Sequence, residues 1–269
     1  MKKEEKLVNK VKRLIRSLGC PRFLHRFGPK TYELYEHLVA LLIRFYCRLS
    51  YRRVKKLLDL LSIRCASKSA LQYNAKKIPS WLWNKALQVT SGAKHHIVAL
   101  DGTGFTRVNP SYYYLRRIDG KMPRKHVKLT AAFDTRRKTW CAANIRVLPK
   151  HDMRDAKHLI KRSNPKVVVM DKAGDAEGLH KYCYENGIEA HIPLKDYGKA
   201  VHNNWSYRRK AARLFRIRTY HRRELIEAGF SSTKRKYGSS VSSKTARTIR
   251  AEVYGRLLCH NLFGINYDI

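Results

Sequence analysis

The chain has 269 residues, 58 of them Lys or Arg and 20 Asp or Glu, for a formal net charge of +38 and 43% hydrophobic content. That length and apolar content support two folded units and exclude a disordered polyelectrolyte, while the charge favours a polyanionic partner. The most apolar stretch, Leu38 to Leu49, is interrupted by Arg44 and Arg48, which excludes a membrane span there.

The first residues carry lysines together with Glu4 and Glu5 and no continuous apolar core, so a secretory signal is not expected. Leu7, Val11, Leu14, Ile15 and Leu18 keep helical spacing. The reading is all-helical to about residue 94, with breaks at Gly19-Cys20-Pro21, Gly28-Pro29 and Ile78-Pro79. One helix is predicted from Ser50-Tyr51 to Leu61 and another from Ser67 to Lys77. The pair has the proportions of a helix-turn-helix over about 50–77, with Lys68, Ser69, Gln72, Tyr73, Asn74 and Lys76 on the recognition helix. Asn and Gln there are side chains that read adenine, but short helix pairs occur in any helical domain, and both readings stand.

The texture changes near residue 96. His95 and His96 read as linker or surface. The apolar run Ile97 to Leu100 ends in Asp101-Gly102, as a buried strand stopping at an acid would. Strands are then predicted at Ser111 to Ile118, Val127 to Asp134 and Thr139 to Leu148, an antiparallel meander. Asp155 to Arg162 reads as a helix, Val167 to Met170 as a strand before Asp171, Ala176 to Asn186 as a helix ending at Gly187, and Ile188 to Leu194 as a last strand. Functional groups gather where buried strands end. Aspartate is also a favoured turn former and helix N-cap, which by itself explains either Asp101 or Asp171.

Between residues 197 and 223 the basic residues Lys199, Arg208, Arg209, Lys210, Arg213, Arg216, Arg218, Arg222 and Arg223 occur without one carboxylate. Trp205, Tyr207, Phe215 and Tyr220 are interleaved, a mixture suited to phosphates and unpaired bases, or to a core with solvated charges around it. Tyr220 to Gly238 has no proline and reads as one helix. At roughly 100° per residue, Tyr220, Arg223, Glu227 and Lys234 fall at about 0°, 300°, 340° and 320°, and Tyr237, at about 260°, is read as extending the stripe. Leu225 and Ile226 point elsewhere, toward a core. An ordinary amphipathic helix with an Arg/Glu pair would look the same. What distinguishes the chain is that two strand-end aspartates precede this glutamate, because metal ions that clamp a phosphodiester need several converging oxygen ligands.

With these residues the sequence resembles an insertion-sequence transposase of the DDE superfamily, of insertion-sequence families four and five. Their signature of tyrosine, arginine, glutamate and lysine matches Tyr220, Arg223, Glu227 and Lys234 without adjustment of spacing. The resemblance runs from about residue 96 to the C-terminus. There are departures: Asp171-Lys172-Ala173-Gly174-Asp175 has glycine where a tyrosine often stands, and the glutamate helix holds Gly229 and Ser231-Ser232-Thr233, poor helix formers.

The resemblance implies an α/β fold, a ribonuclease H-like mixed sheet flanked by helices over 96–269, preceded by an all-helical DNA-binding domain over 1–95. It implies that Asp101, Asp171 and Glu227 are catalytic and hold two Mg²⁺ ions, for which Mn²⁺ substitutes. It also implies that Tyr220, Arg223 and Lys234 hold DNA near the cut. From the residues themselves, Arg208, Arg209, Lys210 and Arg213 in the basic run and Lys68, Gln72 and Asn74 in the helix pair are DNA-binding candidates. Lys128 and Lys172 are candidates for phosphate neutralisation. The implied partners are the element's terminal inverted repeats and target DNA, bound by a homodimer at the nucleoid in a prokaryotic cytoplasm, with no membrane. The implied chemistry is cleavage and strand transfer by phosphoryl transfer, without a covalent protein nucleophile. Two alternatives stay open: a catalytically inactive transposase-derived DNA-binding protein, and a basic RNA-binding protein. Cys20, Cys47, Cys65, Cys141, Cys183 and Cys259 are scattered without a Cys-x-x-Cys pair and read as reduced core residues, not a structural zinc site.

Overall fold

A computed structural model describes residues 3–23, 27, 30–108, 126–148, 153–195 and 206–263. The strand expected at Ser111 to Ile118, the break at Gly28-Pro29, and Lys199 and Trp205 lie outside the described residues. The chain divides into two compact units, a helical one built from Met1–Thr90, Thr106–Lys125 and Thr233–Ile269, and a sheet unit built from Ser91–Phe105 and His126–Ser232.

The helical unit holds α1 (Lys3–Ser17), α2 (Leu34–Tyr46), α3 (Tyr51–Leu60), α4 (Lys68–Lys77) and α5 (Ser80–Ser91). The starts of α3 and α4 follow from their capping serines: Ser50 Oγ accepts from the Arg53 amide and Ser67 Oγ from the Ala70 amide. The spacing noted in α1 buries Val11, Leu14, Ile15 and Leu18. Val54, Leu58, Leu71 and Ala40 close a core beneath the α3/α4 pair.

A long helix at residues 246–263, numbered α11 below, was not anticipated, because its pattern is not amphipathic. It is buried on every side, Thr248 through Leu262 with few exceptions, as a helix packed on several neighbours must be. It packs against α2 and α4. Two of its polar residues are matched from α5: Asn84 Nδ2 donates to the Tyr254 hydroxyl at 2.8 Å and Asn261 Nδ2 to Thr90 Oγ1 at 2.9 Å.

In the sheet unit, β1 (His95–Arg107), β2 (His126–Asp134) and β3 (Thr139–Arg146) are followed by α6 (Met153–Ser163), β4 (Pro165–Met170), α7 (Glu177–Glu185), β5 (Glu189–His191), α8 (Ser206–Leu214), α9 (Ile217–Tyr220) and α10 (Glu224–Tyr237). The strand order is β3-β2-β1-β4-β5, with β2 and β3 antiparallel and β4 parallel to both β1 and β5. This mixed sheet flanked by helices is the ribonuclease H-like arrangement expected from the sequence. Val98, Leu100, Val168 and Met170 from the central strands pack with Ala156, Leu159 and Ile160 of α6 and Leu179 and Cys183 of α7.

Three expectations are corrected here. β1 does not stop at Asp101; its pairing with β4 ends at Leu100, and the strand then runs on to Arg107. Its last residues, Thr106 and Arg107, belong to the helical unit and pair in parallel with the two-residue β6 (Ser240–Val241), which satisfies backbone groups that would otherwise lack partners. His95 is neither linker nor surface: it is 4% exposed and its Nδ1 lies 2.7 Å from Asp134 Oδ2. Asp134 also accepts from the Arg136 and Arg137 amides at 2.8 Å each. Burial pushes the Asp134 carboxyl up, but these three partners hold it below the usual carboxylate value. Finally, four of the cysteines are buried free thiols, whereas Cys47 is exposed and Cys20 intermediate.

No helix among the described residues is long and apolar enough to cross a membrane.

Candidate metal and DNA site

Leu100 and Met170 are register partners on the parallel neighbours β1 and β4, so Asp101 and Asp171 occupy equivalent positions on adjacent strands. Each carboxylate is held by a local backbone amide. Asp101 Oδ1 accepts from Gly102 N at 2.7 Å, and Asp171 Oδ1 accepts from Ala173 N at 3.1 Å. The second bond opens a 3₁₀ turn, Lys172–Gly174, so Asp171 is a cap as well as a candidate ligand. Gly174 is buried beneath that turn, and a Cβ on it would meet Met170 at 3.1 Å. The departure to glycine at this position therefore has a steric reason in this chain.

The third carboxylate stands on α10. The single helix expected from Tyr220 is divided: α9 ends at Tyr220, a 3₁₀ turn covers His221–Arg223, and α10 begins at Glu224. The backbone stays right-handed through the join, with φ −60° and ψ −39° at Tyr220. A 3₁₀ turn advances about 120° per residue instead of about 100°, so Tyr220 is rotated away from the ideal stripe while Arg223 and Glu227 still meet. Ile226 is fully buried, as expected, and Phe230 stacks on Trp140 with ring centroids 4.9 Å apart. The helix approaches the sheet closely at Gly229, where a Cβ would lie 3.0 Å from the Phe133 ring. This contact, which only glycine allows without displacement, accounts for the poor helix former there. Glu227 is left with its side chain 53% exposed.

Arg223 ties the carboxylates together. Its Nη1 donates to Glu227 Oε1 at 2.6 Å and lies 3.7 Å from Asp101 Oδ2. Asp101 sits above the ordinary carboxylate range, chiefly through burial; the Gly102 bond opposes this, and the negative charges of Asp171 and Glu227 add to the rise against Arg223. The three acids thus share one electrostatic environment, with a single guanidinium between two of them. Among the described residues no group of three or more His, Cys, Asp or Glu side chains is gathered closely enough to hold a metal ion. Carboxylate oxygens are the donor type that a hard divalent cation takes, and mutual repulsion among the acids is what such a cation would relieve.

The other candidates are placed as follows. Tyr220 packs its ring 5.7 Å from Phe215. Lys234 is half-buried on the part of α10 that belongs to the helical unit, and burial lowers its ammonium pKa. Tyr237 does not extend an exposed stripe: it is 2% exposed, its ring 5.8 Å from Tyr46, because the last turn of α10 packs into the helical core. Arg208 is committed to the fold, with Nη2 2.8 Å from the buried Asp175 and a further hydrogen bond to the Lys195 carbonyl. Arg209, Lys210 and Arg213 are exposed on α8, with the Lys210 ammonium 4.3 Å above the Tyr184 ring. Lys68 and Gln72 are exposed on α4, whereas Asn74 Nδ2 lies 3.0 Å from His37 Nε2. Lys172 is exposed and Lys128 half-buried.

Sequence reasoning missed Asp175, which organises the segment after Asp171. Its carboxylate takes His180 Nε2 at 3.0 Å, the Lys195 amide at 2.6 Å and Arg208. Read as part of an Asp171 motif, it gave no separate signal of burial.

A search of the curated proteins finds no match. The family model described as the transposase DDE domain matches residues 92–262, a span that contains all three carboxylates together with Tyr220, Arg223 and Lys234. The chain therefore belongs to the transposase DDE domain family.

Proposed function

We propose that the protein is a DNA transposase that cleaves the ends of an insertion sequence and joins them to target DNA, using Asp101, Asp171 and Glu227. The observation that supports this reading is that Asp101 feels the charges of both Asp171 and Glu227, with Arg223 between Asp101 and Glu227 in the sheet unit. Asp101 and Asp171 are fixed by rigid parallel strands, and Glu227 by a helix clamped on Trp140, a support suited to holding ligands in place. Asp101, Asp171 and Glu227 would hold the divalent ions, which would supply activation of a water or DNA 3′-hydroxyl and stabilisation of the leaving oxygen.

The chain's own groups position the substrate. Arg223, flanking Asp101 and Glu227, is placed to contact a phosphate, with Tyr220 and Lys234 as further contacts matching the tyrosine, arginine, glutamate and lysine signature. Lys172, directly after Asp171, and Lys128 neutralise phosphate charge. Arg209, Lys210 and Arg213 on α8, and Lys68 and Gln72 on α4, extend the DNA contact. The substrate is the terminal inverted repeats and target DNA, held by two copies of the chain because two ends must be joined, in the cytoplasm at the nucleoid.

The test is incubation with labelled DNA carrying the repeats that flank the gene, with Mg²⁺ or Mn²⁺ and in EDTA. Metal-dependent nicking at the repeat ends and joining of the released 3′-hydroxyls are expected. Tight binding with no cleavage under any metal condition would instead identify a decayed copy that only binds DNA.

A further inference from the structure

The helical unit contains a second basic feature that the cleavage chemistry does not use. A cavity of about 680 Å³ is lined by Arg44, Arg48, Arg53, Gln72, Lys76 and Lys244, together with serine and threonine residues and no Asp or Glu. Arg44 is the unusual member. It is 7% exposed, its guanidinium lies 4.2 Å above the Tyr51 ring, and its Nε is buried without a hydrogen-bond partner among the described residues. A buried guanidinium with an unmatched donor is unfavourable unless an acceptor is supplied from elsewhere.

Glu252 of α11 does not supply one, because its oxygens are taken. Glu252 accepts from the Ser243 amide at 2.9 Å, from the Ser242 amide at 3.2 Å and from Arg256 Nη2 at 2.5 Å. Arg256 is held below the usual guanidinium range, first by burial, with Glu252 opposing and the charges of Arg44 and Arg48 adding to the fall. Arg44 and Arg48 therefore lie within the field of Arg256, and Glu252 is committed to Arg256 alone among the three. Arg48 gives Nη2 to the Arg235 carbonyl at 2.6 Å, and no salt bridge to Arg44, Arg48, Arg53, Lys76 or Lys244 occurs among the described residues. The capped N-terminus of α3, at Ser50 and Tyr51, borders the same cavity and adds its positive helix end.

We propose that this cavity is a DNA phosphate site, in which Arg44 and Arg48 hold a backbone phosphate at depth and Arg53, Lys76 and Lys244 hold its neighbours along the strand. An extended polyanion fits better than a lone small anion, because the cations come from α2, α3, α4 and the segment before α11. The planar guanidinium of Arg44, fixed on Tyr51, is a preformed fork for phosphate oxygens. The proposal rests on DNA being the partner and not on cleavage.

The experiment is fluorescence-anisotropy titration of labelled duplex DNA with the full chain, in EDTA, over a range of KCl concentrations. Working without metal keeps a failure of the cleavage chemistry from affecting the result. Lys76→Gln/Lys244→Gln, both at exposed positions, is expected to weaken binding about tenfold near physiological salt and to flatten the log–log salt dependence by about one to two counterions. Lys161→Gln/Lys166→Gln, an equal loss of charge at exposed positions of the sheet unit, is expected to change affinity less than about threefold with the slope unaltered. Arg44→Gln, used with a melting curve to verify folding, should weaken binding as well. Unchanged affinity and slope in Lys76→Gln/Lys244→Gln, or an equal loss in the control pair, would overturn the site. Absence of DNA binding by the unaltered chain would overturn both the site and the DNA partner.

Discussion

Glu227→Gln is expected to abolish metal-dependent cleavage while DNA affinity changes less than about threefold. Changes to groups that merely orient metal ligands already reduce metal affinity or activity by up to about a hundredfold. Removing a ligand's charge should exceed that. The amide has nearly the carboxylate's shape, and Glu227 is 53% exposed, so no buried contact is broken. Arg223 loses its 2.6 Å partner, but an ion pair this exposed contributes little to stability, about 0–1 kcal/mol. No cation is removed, so the electrostatic attraction for DNA is if anything slightly greater. A denaturing gel for cleavage and an anisotropy titration for binding, run on the same preparation, separate the two quantities. Full activity in this variant would end the three-carboxylate account.

Gly255→Val is expected to destabilise the helical unit severely. A Cβ on Gly255 would lie 2.1 Å from Cδ2 and 2.3 Å from Cε2 of Phe45, a ring only 3% exposed between α2 and α11. Replacing glycine in an ordinary helix is favourable, by about 0.5–1 kcal/mol for alanine. Overpacking of a buried contact costs about 1–3 kcal/mol and occasionally more, and here the obstacle is a buried ring with neighbours on its other side. The steric effect therefore wins, and the sign of the measured change decides the matter. Denaturant unfolding should show a loss of about 3 kcal/mol or more, partly restored by Phe45→Leu in the same chain, because the two positions share one contact. An unchanged or raised midpoint in Gly255→Val would mean that α2 and α11 do not approach as described.

Much of this architecture is legible in the sequence where a local rule acts alone. Ser50 and Ser67 announce their helices because capping is decided within a few residues. The runs ending at Leu100 and Met170 announce buried strands because both are continuously apolar. What was not legible depends on contacts distant in sequence. His95 resembles a linker residue until Asp134, 39 positions away, receives it in the core. α11 lacks an amphipathic face because it is buried almost along its whole length, with both α2 and α4 packed on it. Gly229 and Gly255 look like helix breakers until Phe133 and Phe45 are seen against them.

The candidate site shows the same division. The types and order of Asp101, Asp171 and Glu227 were readable. The guanidinium between Asp101 and Glu227 was readable only as a helical neighbour of Glu227, since its approach to Asp101 crosses from the 3₁₀ turn before α10 to β1. The 3₁₀ turn before Glu224 was missed because nothing in His221-Arg222-Arg223 forbids a regular helix. Tyr237 was misplaced for a related reason: a stripe drawn along one helix ignores that the end of that helix packs into a different core.

The central claim is that Asp101, Asp171 and Glu227 together hold divalent metal on DNA. The most direct measurement counts Mn²⁺ bound per chain, by electron paramagnetic resonance of the free ion, in complexes with repeat-end DNA. The unaltered chain, Asp101→Asn, Asp171→Asn and Glu227→Gln are compared at equal DNA occupancy. Saturable Mn²⁺ binding in the unaltered chain, weakened by more than about tenfold in each of the three variants, is the result this account predicts. Equal Mn²⁺ binding in all four proteins would contradict it.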